Sequence, residues 1–350
     1  MGEYSTQFAR ANSYTARAFA KVNLHLAVGP ARADGFHELV TIFQSLDLSD
    51  TVRLSVVDSS TDSESESGDP ASQVHSLVVT GNDCAAVPTD SSNLAWQAVD
   101  AVADALRAAH GIELALPQVA VAIEKSIPVA GGMAGGSADA AAALRAANAL
   151  FADHAGVAEL DENVVHELAA QLGSDIPFCL HGHTALGQGR GEKLHGVPTV
   201  GTFCWALVAH EQGLSTPRVF GVFDELSEHG PQSQALAQDK ACATYPSPEE
   251  TRKLAAALQE GNVQRVAGLL RNDLQAAAVH VRPDLREVLR VGIQAGALTG
   301  IVSGSGPTCA FLCTDVATAR QVTREVEKTI AGTRGIVATS PAGRAELIEN

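Results

Sequence analysis

The sequence lacks three features that would each have pointed to a particular class of protein. Basic residues are outnumbered: 24 Lys and Arg stand against 40 Asp and Glu, for a formal net charge of −16. Six cysteines are scattered without the paired Cys or Cys/His spacing that zinc sites use. No segment approaches the ~18 consecutive apolar residues of a membrane-spanning helix, and the N-terminus has no apolar core of the signal-peptide kind.

These absences exclude several functions. An acidic chain is a poor partner for nucleic acid or for an anionic membrane surface, because like charges repel. Scattered cysteines indicate a reduced protein with buried thiols. We therefore expect a cytoplasmic protein whose partners are small molecules, acting as a monomer or a weak homodimer. At 350 residues with 45% hydrophobic content, the chain is long enough for two cores.

The most informative stretch runs from Pro128 to Ala143 and reads PVAGGMAGGSADAAAA. Glycine permits a positive φ and a close approach to an anion, and alanine is the best helix former. A helix should begin near Ser137, with its free N–H groups and positive dipole end directed at one point, as in a phosphate site. The spacing matches neither the Walker loop nor the dinucleotide fingerprint. A flexible loop before an exposed helix is the alternative that this segment alone leaves open.

A strand is predicted near the N-terminus, because apolar and other residues alternate from residue 15 onwards. Lys21 and Asn23 fall side by side on the face opposite the apolar one. Taken alone, this pattern is typical of a strand with one solvated face. The apolar face would consist of Ala16, Ala18, Ala20, Val22, Leu24 and Leu26.

The composition divides the chain into two domains. We expect a loose tail over 1–14, an N-terminal domain over 15–198, a C-terminal domain over 199–332 and a frayed tail over 333–350. Residues 58–73, DSSTDSESESGDPASQ, have no apolar anchor and predict a disordered acidic insertion without a catalytic role. Helices are predicted at Ser92–His110 with Ser92 as the N-cap, at Asn163–Leu172, from Ser247-Pro248 onwards, at Asn262–Leu270 and at Pro283–Gly292.

Two further motifs follow the glycine-rich loop. Asp175 lies just after a predicted helix and just before Pro177, which blocks continuation of that helix. Ser303–Gly306 reads SGSG and leads into an apolar strand. Each motif is weak alone.

In this order, the motifs resemble those of the GHMP small-molecule kinases, a family that includes galactokinase, homoserine kinase and mevalonate kinase. The resemblance implies an α+β fold of two lobes, the N-terminal one like domain 2 of ribosomal protein S5 and the C-terminal one ferredoxin-like. The active site would lie in the cleft between them. The matching blocks span about residues 16–312 and read AFAKVNLHLAV, RADGFHELVTIFQSLDLSD, PVAGGMAGGSADAAAALRAAN, GSDIPFCLHGHTALGQGRGE and IVSGSGPTCAF.

The resemblance implies ATP-dependent phosphorylation with Mg²⁺. Asp175 would be the base beside the acceptor hydroxyl, with Lys21 next to it, and Ser137 would contact a phosphate or its Mg²⁺. Asn93 and Lys125 correspond to adenosine-side positions, although either residue alone could be a helix-start amide or a surface lysine. The loop residues that would hold the triphosphate are Pro128, Val129, Ala130, Gly131, Gly132, Met133, Ala134, Gly135, Gly136 and Ser137. Ala134 stands where a glycine is usual, so it must adopt a backbone conformation that glycine reaches more easily.

The resemblance also implies an acceptor, the 2-hydroxyl of a methylerythritol linked to cytidine diphosphate. Asn23 would hydrogen-bond near the reacting hydroxyl, and Thr216 would contact the substrate. Phe36 and Phe220 would stack on opposite faces of the cytosine with His37 beside them, although phenylalanines are often simply core residues. The alternatives are another kinase of the family, acting on homoserine or a mevalonate derivative, and a catalytically silent metabolite sensor on the same fold.

Overall fold

In the computed structural model, which describes residues 12–32, 35–57, 72–129, 131–229 and 248–349, two long antiparallel strands organise the N-terminal domain. β1 (Ser13–Ala31) pairs with β2 (His37–Val56), with irregularities in register on either side of Lys21–Asn23. The predicted apolar face of β1 is buried, but so is most of the opposite face, on which Arg17 is exposed. Lys21 is 3% exposed and Asn23 is 2% exposed, so the interpretation of these residues as a solvated strand face is wrong.

The first sheet is completed by strands from distant parts of the chain. These strands are β3 (Val74–Gly81), β4 (Val119–Lys125), β5 (Thr184–Gly189), β6 (Lys193–Gly196), β8 (Arg271–Asn272) and β12 (Glu346–Ile348). The order in the sheet is β12-β1-β2-β4-β3, with β5 also pairing with β2, β6 with β5, and β8 with β1.

Helices cover the first sheet, and the alanine-rich one is the most central. It packs against β1, β2 and the preceding helix, since alanine lets backbones approach closely. The sequence prediction for the preceding helix is wrong in one detail, because its N-cap is Asn93 rather than Ser92. The helices are α1 (Leu94–His110), α2 (Gly135–Ala155), α3 (Glu162–Leu172) and α4 (Ile176–His181), with a 3₁₀ turn at Cys84–Ala86.

The second sheet consists of β7 (Phe203–His210), β9 (Thr299–Val302), β10 (Cys309–Cys313) and β11 (Thr333–Ser340). It is antiparallel in the order β11-β7-β10-β9, and core residues pack on both of its faces. Along β7, Trp205 and Leu207 pack into the core of the first domain, whereas Ala206 and Val208 pack beneath the C-terminal helices. The helices are α5 (Thr216–His229), α6 (Pro248–Gln259), α7 (Val263–Ala267), α8 (Gln275–Val281), α9 (Asp284–Gln294) and α10 (Val316–Thr329).

The structure partly corrects the sequence predictions for the two tails and for the acidic insertion. The segment 333–350 is not a frayed tail, because β11 joins the second sheet and β12 pairs with β1. Ser13 and Tyr14 already belong to β1. Most of the acidic insertion, 58–71, lies outside the described residues, but Ser72 is buried and bonded to Asp100, so the folded domain resumes there. The helix predicted over 262–270 is only Val263–Ala267, capped by Asn262.

Candidate active site

Three of the sequence motifs meet at one point between the two sheets. The ammonium of Lys21, on β1, donates to the carbonyl oxygen of Gly132 in the glycine-rich loop at 3.1 Å. The hydroxyl of Ser303, in the SGSG turn, donates to the same oxygen at 3.1 Å. A Cβ added to Gly304 would lie 3.3 Å from the Lys21 ammonium. The strand, the loop and the turn are therefore parts of a single site.

The glycines allow the loop and the turn to pack backbone against backbone. Gly132 has a φ of 75°, and a Cβ there would lie 2.2 Å from the carbonyl oxygen of Ser303. A Cβ on Gly131 would lie 2.8 Å from the hydroxyl of Thr308. A side chain at either position would push the two segments apart. Ala130 lies outside the described residues.

The loop leads directly into α2, whose first residue is Gly135. The preceding Ala134 has a φ of 61°, which confirms the prediction that it adopts a conformation more natural to glycine. Met133 is fully buried and its carbonyl accepts from the backbone N–H of Lys21. The first N–H groups of α2 have no partner within the helix, so the loop presents a concentrated set of donors for an anion.

Lys21 and Asp175 form an ion pair at this point. The ammonium lies 3.4 Å from Oδ2 of Asp175, which is placed immediately before α4, and the helix start does not use that carboxylate as a side-chain cap. Lys21 also donates to Oδ1 of Asn23 at 2.8 Å, while the Asn23 amide donates to Thr41. The lysine side chain is almost fully buried, whereas 30% of the Asp175 side chain is exposed. The carboxylate is thus the accessible member of a fixed pair.

On the far side of the α2 N-terminus lies a cavity of about 250 Å³. Asn93 and Lys125, both predicted on the adenosine side, line it. Asn93 is committed to the start of α1: its Oδ1 accepts from Ala95 and its Nδ2 donates to the carbonyl of Pro88. Val129 also lines this cavity, and the neighbouring Pro128 is buried.

Lys125 is not a surface lysine but the centre of a buried ionic cluster. Its ammonium donates to Asp50 at 2.5 Å and to Asp139 at 2.6 Å, and all three side chains are at most 3% exposed. Burial alone would lower the pKa of Lys125, but the two adjacent carboxylates raise it overall. The cation is therefore neutralised within the protein.

Of the residues predicted to bind the cytidine, Phe36 lies just before β2, His37 is the first residue of β2, and Phe220 is on α5. The His37 ring is 5.0 Å from the ring of Phe220, tilted by 31°, and its Nε2 lies 2.8 Å from a carboxylate oxygen of Asp224. Phe36 is 52% exposed, and the guanidinium of Arg190 lies 5.2 Å from its ring centroid. Phe220 is thus half-buried against His37, while Phe36 presents an open ring.

Thr216 links α5 to the SGSG turn. Its hydroxyl lies 2.8 Å from that of Ser305. The turn is fixed from behind by Asn272, whose amide donates to the carbonyls of Val302 and Gly304 at 2.7 Å each. Sequence reasoning missed Asn272, Arg190 and Asp224, because nothing in their local sequence marks them.

Comparison with known proteins yields a consistent set of matches. Residues 93–183 match the model of the GHMP kinases N-terminal domain, and residues 254–332 match that of the GHMP kinases C-terminal domain. The protein named 4-diphosphocytidyl-2-C-methyl-D-erythritol kinase in Corynebacterium efficiens is 47% identical over 327 residues, covering 93% of either chain. The protein of that name in Nocardia farcinica is 46% identical, covering 95% of either chain.

Solved structures agree in fold. A crystal structure of 4-(cytidine 5′-diphospho)-2C-methyl-D-erythritol kinase superposes with a TM-score of 0.64 at 26% identity, covering 94% of this chain and all of the other. Homoserine kinase from Cytophaga hutchinsonii has a TM-score of 0.69 at 18% identity, covering 97% and 99%. The second likeness concerns the fold alone.

Proposed function

Because this chain belongs to the GHMP kinase family, we propose that it transfers the terminal phosphoryl group of ATP to the 2-hydroxyl of 4-diphosphocytidyl-2-C-methyl-D-erythritol. Such a reaction would serve the non-mevalonate route to isoprenoid precursors. The observation that carries the proposal is the Lys21–Asp175 pair beside the donor-rich loop. Relatives that are 46–47% identical over more than nine-tenths of the chain carry the name of this enzyme, which supports the choice of acceptor.

The phosphate end of ATP would bind at the N-terminus of α2. Residues 131–137 would supply backbone N–H groups, and the aligned peptide dipoles of the helix favour negative charge at this end. The buried Met133 anchors the loop, so the donors are held in place before the nucleotide arrives. Preorganised donors need not reorient during the reaction, which is the main source of stabilisation for a phosphoryl-transfer transition state.

Asp175 would accept the proton of the acceptor hydroxyl as the new P–O bond forms. The neighbouring Lys21 ammonium, 3.4 Å away, would stabilise the negative charge that develops on the hydroxyl oxygen and on the carboxylate. Since phosphoryl-transfer transition states are loose, little proton removal is needed early, and positioning and charge neutralisation dominate. Asn23, fixed between Lys21 and Thr41, would orient the acceptor.

The cytidine end of the acceptor would bind between Phe36, just before β2, and Phe220 on α5. Phe36 offers an exposed ring for stacking on one face of the base, and Phe220, which packs against the His37 ring, would stack on the other. Base–aromatic stacking contributes ~1–3 kcal/mol per base in nucleic-acid complexes. Thr216, between α5 and the SGSG turn, would contact the linking portion of the substrate.

Mg²⁺ would arrive with ATP rather than occupy a site built wholly from protein. Across the described ranges, no group of three or more His, Cys, Asp or Glu side chains is placed to hold a metal ion. Mg²⁺ bound to nucleotides takes phosphate oxygens, waters and few protein ligands. The hydroxyl of Ser137, half-buried in the first turn of α2, is an oxygen ligand suited to that role.

The remaining features concern partners and location. No helix in the described part of the chain is both long and apolar enough to cross a membrane. We infer a cytoplasmic enzyme that acts as a monomer or weak homodimer on a small molecule.

A panel of acceptors tests the proposed activity. Purified protein with ATP and Mg²⁺ is supplied with 4-diphosphocytidyl-2-C-methyl-D-erythritol, homoserine or mevalonate, and ADP release is measured. We expect release only with the cytidyl substrate, because the other two have no base to stack on Phe36. Turnover of homoserine or mevalonate would support a kinase but contradict the proposed cytidine site. ATP binding without turnover of any acceptor would favour the alternative of a catalytically silent metabolite sensor.

A further inference from the structure

The SGSG turn lies directly over the ammonium of Lys21. That ammonium donates to Asn23 and to the carbonyl oxygen of Gly132, and it lies 5.8 Å from the ring centroid of Phe43. A Cβ added to Gly304 would lie 3.3 Å from the ammonium, 3.2 Å from the Gly132 oxygen and 3.5 Å from Oδ1 of Asn23. Gly304 therefore closes the environment of the ammonium, and only 4% of the lysine side chain is exposed.

One side chain, that of Asn272, holds this turn in place. Its Nδ2 donates to the carbonyl oxygens of Val302 and Gly304 at 2.7 Å each, and its Oδ1 accepts from the backbone N–H of Leu274 at 2.9 Å. Both hydrogens of the amide are thus used. Because Asn272 is buried, loss of the amide would leave two buried acceptors without a donor, which is costly. The turn would then have to move to satisfy them.

Asn272 is also attached to the strand that carries Lys21. It belongs to the short strand β8, which runs parallel to β1, and it lies opposite Leu26. The next residue, Asp273, donates its backbone N–H to the carbonyl oxygen of Leu26 at 2.9 Å. A single segment therefore fixes both the strand of the lysine and the turn that covers it.

Other bonds fix the residues beside Gly304 but not Gly304 itself. The backbone N–H of Val302 donates to Oε1 of Gln275 at 3.0 Å, and the hydroxyl of Ser303 is bonded to the glycine-rich loop. Within the part of the chain that the structure describes, Asn272 alone donates to the carbonyl oxygen of Gly304. Loss of this amide would release the residue over the ammonium while its neighbours stay attached.

We propose that Asn272 is a positioning residue for phosphoryl transfer, because it holds the SGSG turn over Lys21 and so keeps the ammonium directed at Asp175. If the turn moved away, water would reach the ammonium. Contact with water would weaken the attraction between the ammonium and the carboxylate, and the flexible lysine side chain would find other partners. The effect on catalysis rests on the proposed function, whereas the hold on Lys21 does not.

The first test measures how well the turn protects Lys21 in Asn272→Asp. An aspartate has the same shape as asparagine but offers at most one hydrogen to the two carbonyl oxygens. The folded protein is treated with N-hydroxysuccinimidyl acetate, and the acetylation of each lysine is followed by peptide mass spectrometry. The rate at Lys21 should rise by about 10-fold, since local opening exposes an otherwise protected amine. Lys125, which is 2% exposed and bound to two carboxylates, should stay protected.

Two results of the labelling would overturn the proposal. An equal rise at Lys21 and Lys125 would mean that the substitution loosens the whole domain. An unchanged rate at Lys21 would mean that the turn is held without Asn272. If Asn272→Asp does not fold, Asn272→Ala takes its place, because it removes the two donors without setting an oxygen against the carbonyls. It should also expose Lys21 and not Lys125.

Asn148→Asp is the matched control for the loss of a buried amide. Asn148 is 4% exposed, its Oδ1 accepts from the backbone N–H of Leu160 at 2.9 Å, and its Nδ2 donates to the carbonyl oxygen of Leu160 at 3.1 Å. The substitution therefore removes similar bonds at a site that does not contact the SGSG turn. Lys21 should stay protected. Equal labelling of Lys21 in Asn148→Asp and Asn272→Asp would contradict a specific role for Asn272.

The second test measures steady-state kinetics with ATP and the cytidyl acceptor. Asn272→Asp should lower kcat by ~10–100-fold, because small displacements of positioned groups can cost as much as 10²-fold in rate. The KM for the acceptor should stay close to the wild-type value, and Asn148→Asp should keep the wild-type kcat. An unchanged kcat in an Asn272→Asp protein whose Lys21 is exposed would contradict the role in catalysis. If the wild type turned over no acceptor, the proposed function would fail, but the labelling would still decide whether Asn272 holds the turn over Lys21.

Discussion

Arg190 contacts a residue of the proposed acceptor site, although no sequence pattern marks it. Its guanidinium lies 5.2 Å from the centroid of the exposed Phe36 ring. One N–H of that group donates to the carbonyl of Ala170 at 3.0 Å, and the backbone N–H donates to Glu192. The arginine is thus held by hydrogen bonds at both its backbone and its guanidinium, and it lies over the ring of Phe36.

We predict that Arg190→Met raises the KM for the cytidyl acceptor by about 2- to 5-fold, because a cation–π contact at an exposed site contributes ~0.5–1 kcal/mol. The kcat and the KM for ATP should not change. Arg17→Met is the matched control, since Arg17 lies 5.3 Å over the ring of Phe19 away from the acceptor residues. Steady-state kinetics test this prediction. Equal effects of the two substitutions on the KM for the cytidyl acceptor, or a loss of kcat in Arg190→Met, would contradict the role given to Arg190.

The predicted positions of single residues were correct where a periodic sequence pattern supported them. Alternation along β1 correctly placed Lys21 and Asn23 on one face, but it could not reveal that this face is covered by the SGSG turn. The same limit applies to Asn272, whose partners Val302 and Gly304 lie about thirty residues further along the chain. The roles of the predicted site residues themselves remain predictions.

At the scale of elements, the glycine-rich loop and the SGSG turn depend on each other. Gly132 combines a φ of 75° with a Cβ position only 2.2 Å from the carbonyl oxygen of Ser303. Glycine is required there both for its conformation and for its lack of a side chain. The loop that would hold ATP is therefore positioned by a turn from the C-terminal part of the chain.

Gly132→Ala should lower the free energy of unfolding by more than ~2 kcal/mol. An alanine in the left-handed conformation costs ~1–2 kcal/mol, and the clash of its Cβ with the Ser303 carbonyl oxygen adds to that cost. It should also raise the KM for ATP. Gly201→Ala is the control: its φ is 82°, but a Cβ there meets nothing within 4 Å, so only the conformational cost applies and the KM for ATP should hold. Urea denaturation and ATP titration test both variants. Equal destabilisation by Gly132→Ala and Gly201→Ala would argue against close packing of the glycine-rich loop on the SGSG turn.

Elements near the chain ends were the least predictable. Glu346 on β12 pairs with Arg17, which is 329 positions away in the sequence. The short strand has little pattern of its own, so composition alone suggested a frayed tail. By contrast, the sequence correctly predicted that one helix starts at Pro248 and that another ends at His110, because helix boundaries carry local signals.

For the whole molecule, the central consequence is that the site is assembled from the full length of the chain. Lys21 comes from the first strand, Gly132 and Ser137 from the middle, Asp175 from the start of α4, and the SGSG turn from near residue 305. The second sheet, buried on both faces, holds that turn against the first domain. The fold class followed from the resemblance of ordered motifs, since composition could not have revealed such contacts.

The measurement that bears most directly on this account is the rate of a single turnover with ATP and 4-diphosphocytidyl-2-C-methyl-D-erythritol bound. It should be made for the wild type, Asp175→Asn and Asp284→Asn, the last altering an exposed carboxylate that pairs with His210 and Arg282. We predict that Asp175→Asn slows the step by ~10²–10⁴-fold, the usual contribution of a positioned acid–base group, while Asp284→Asn matches the wild type. A loss below tenfold for Asp175→Asn would contradict the assignment of Asp175 as the base, and with it the proposed phosphoryl transfer at the Lys21–Asp175 pair.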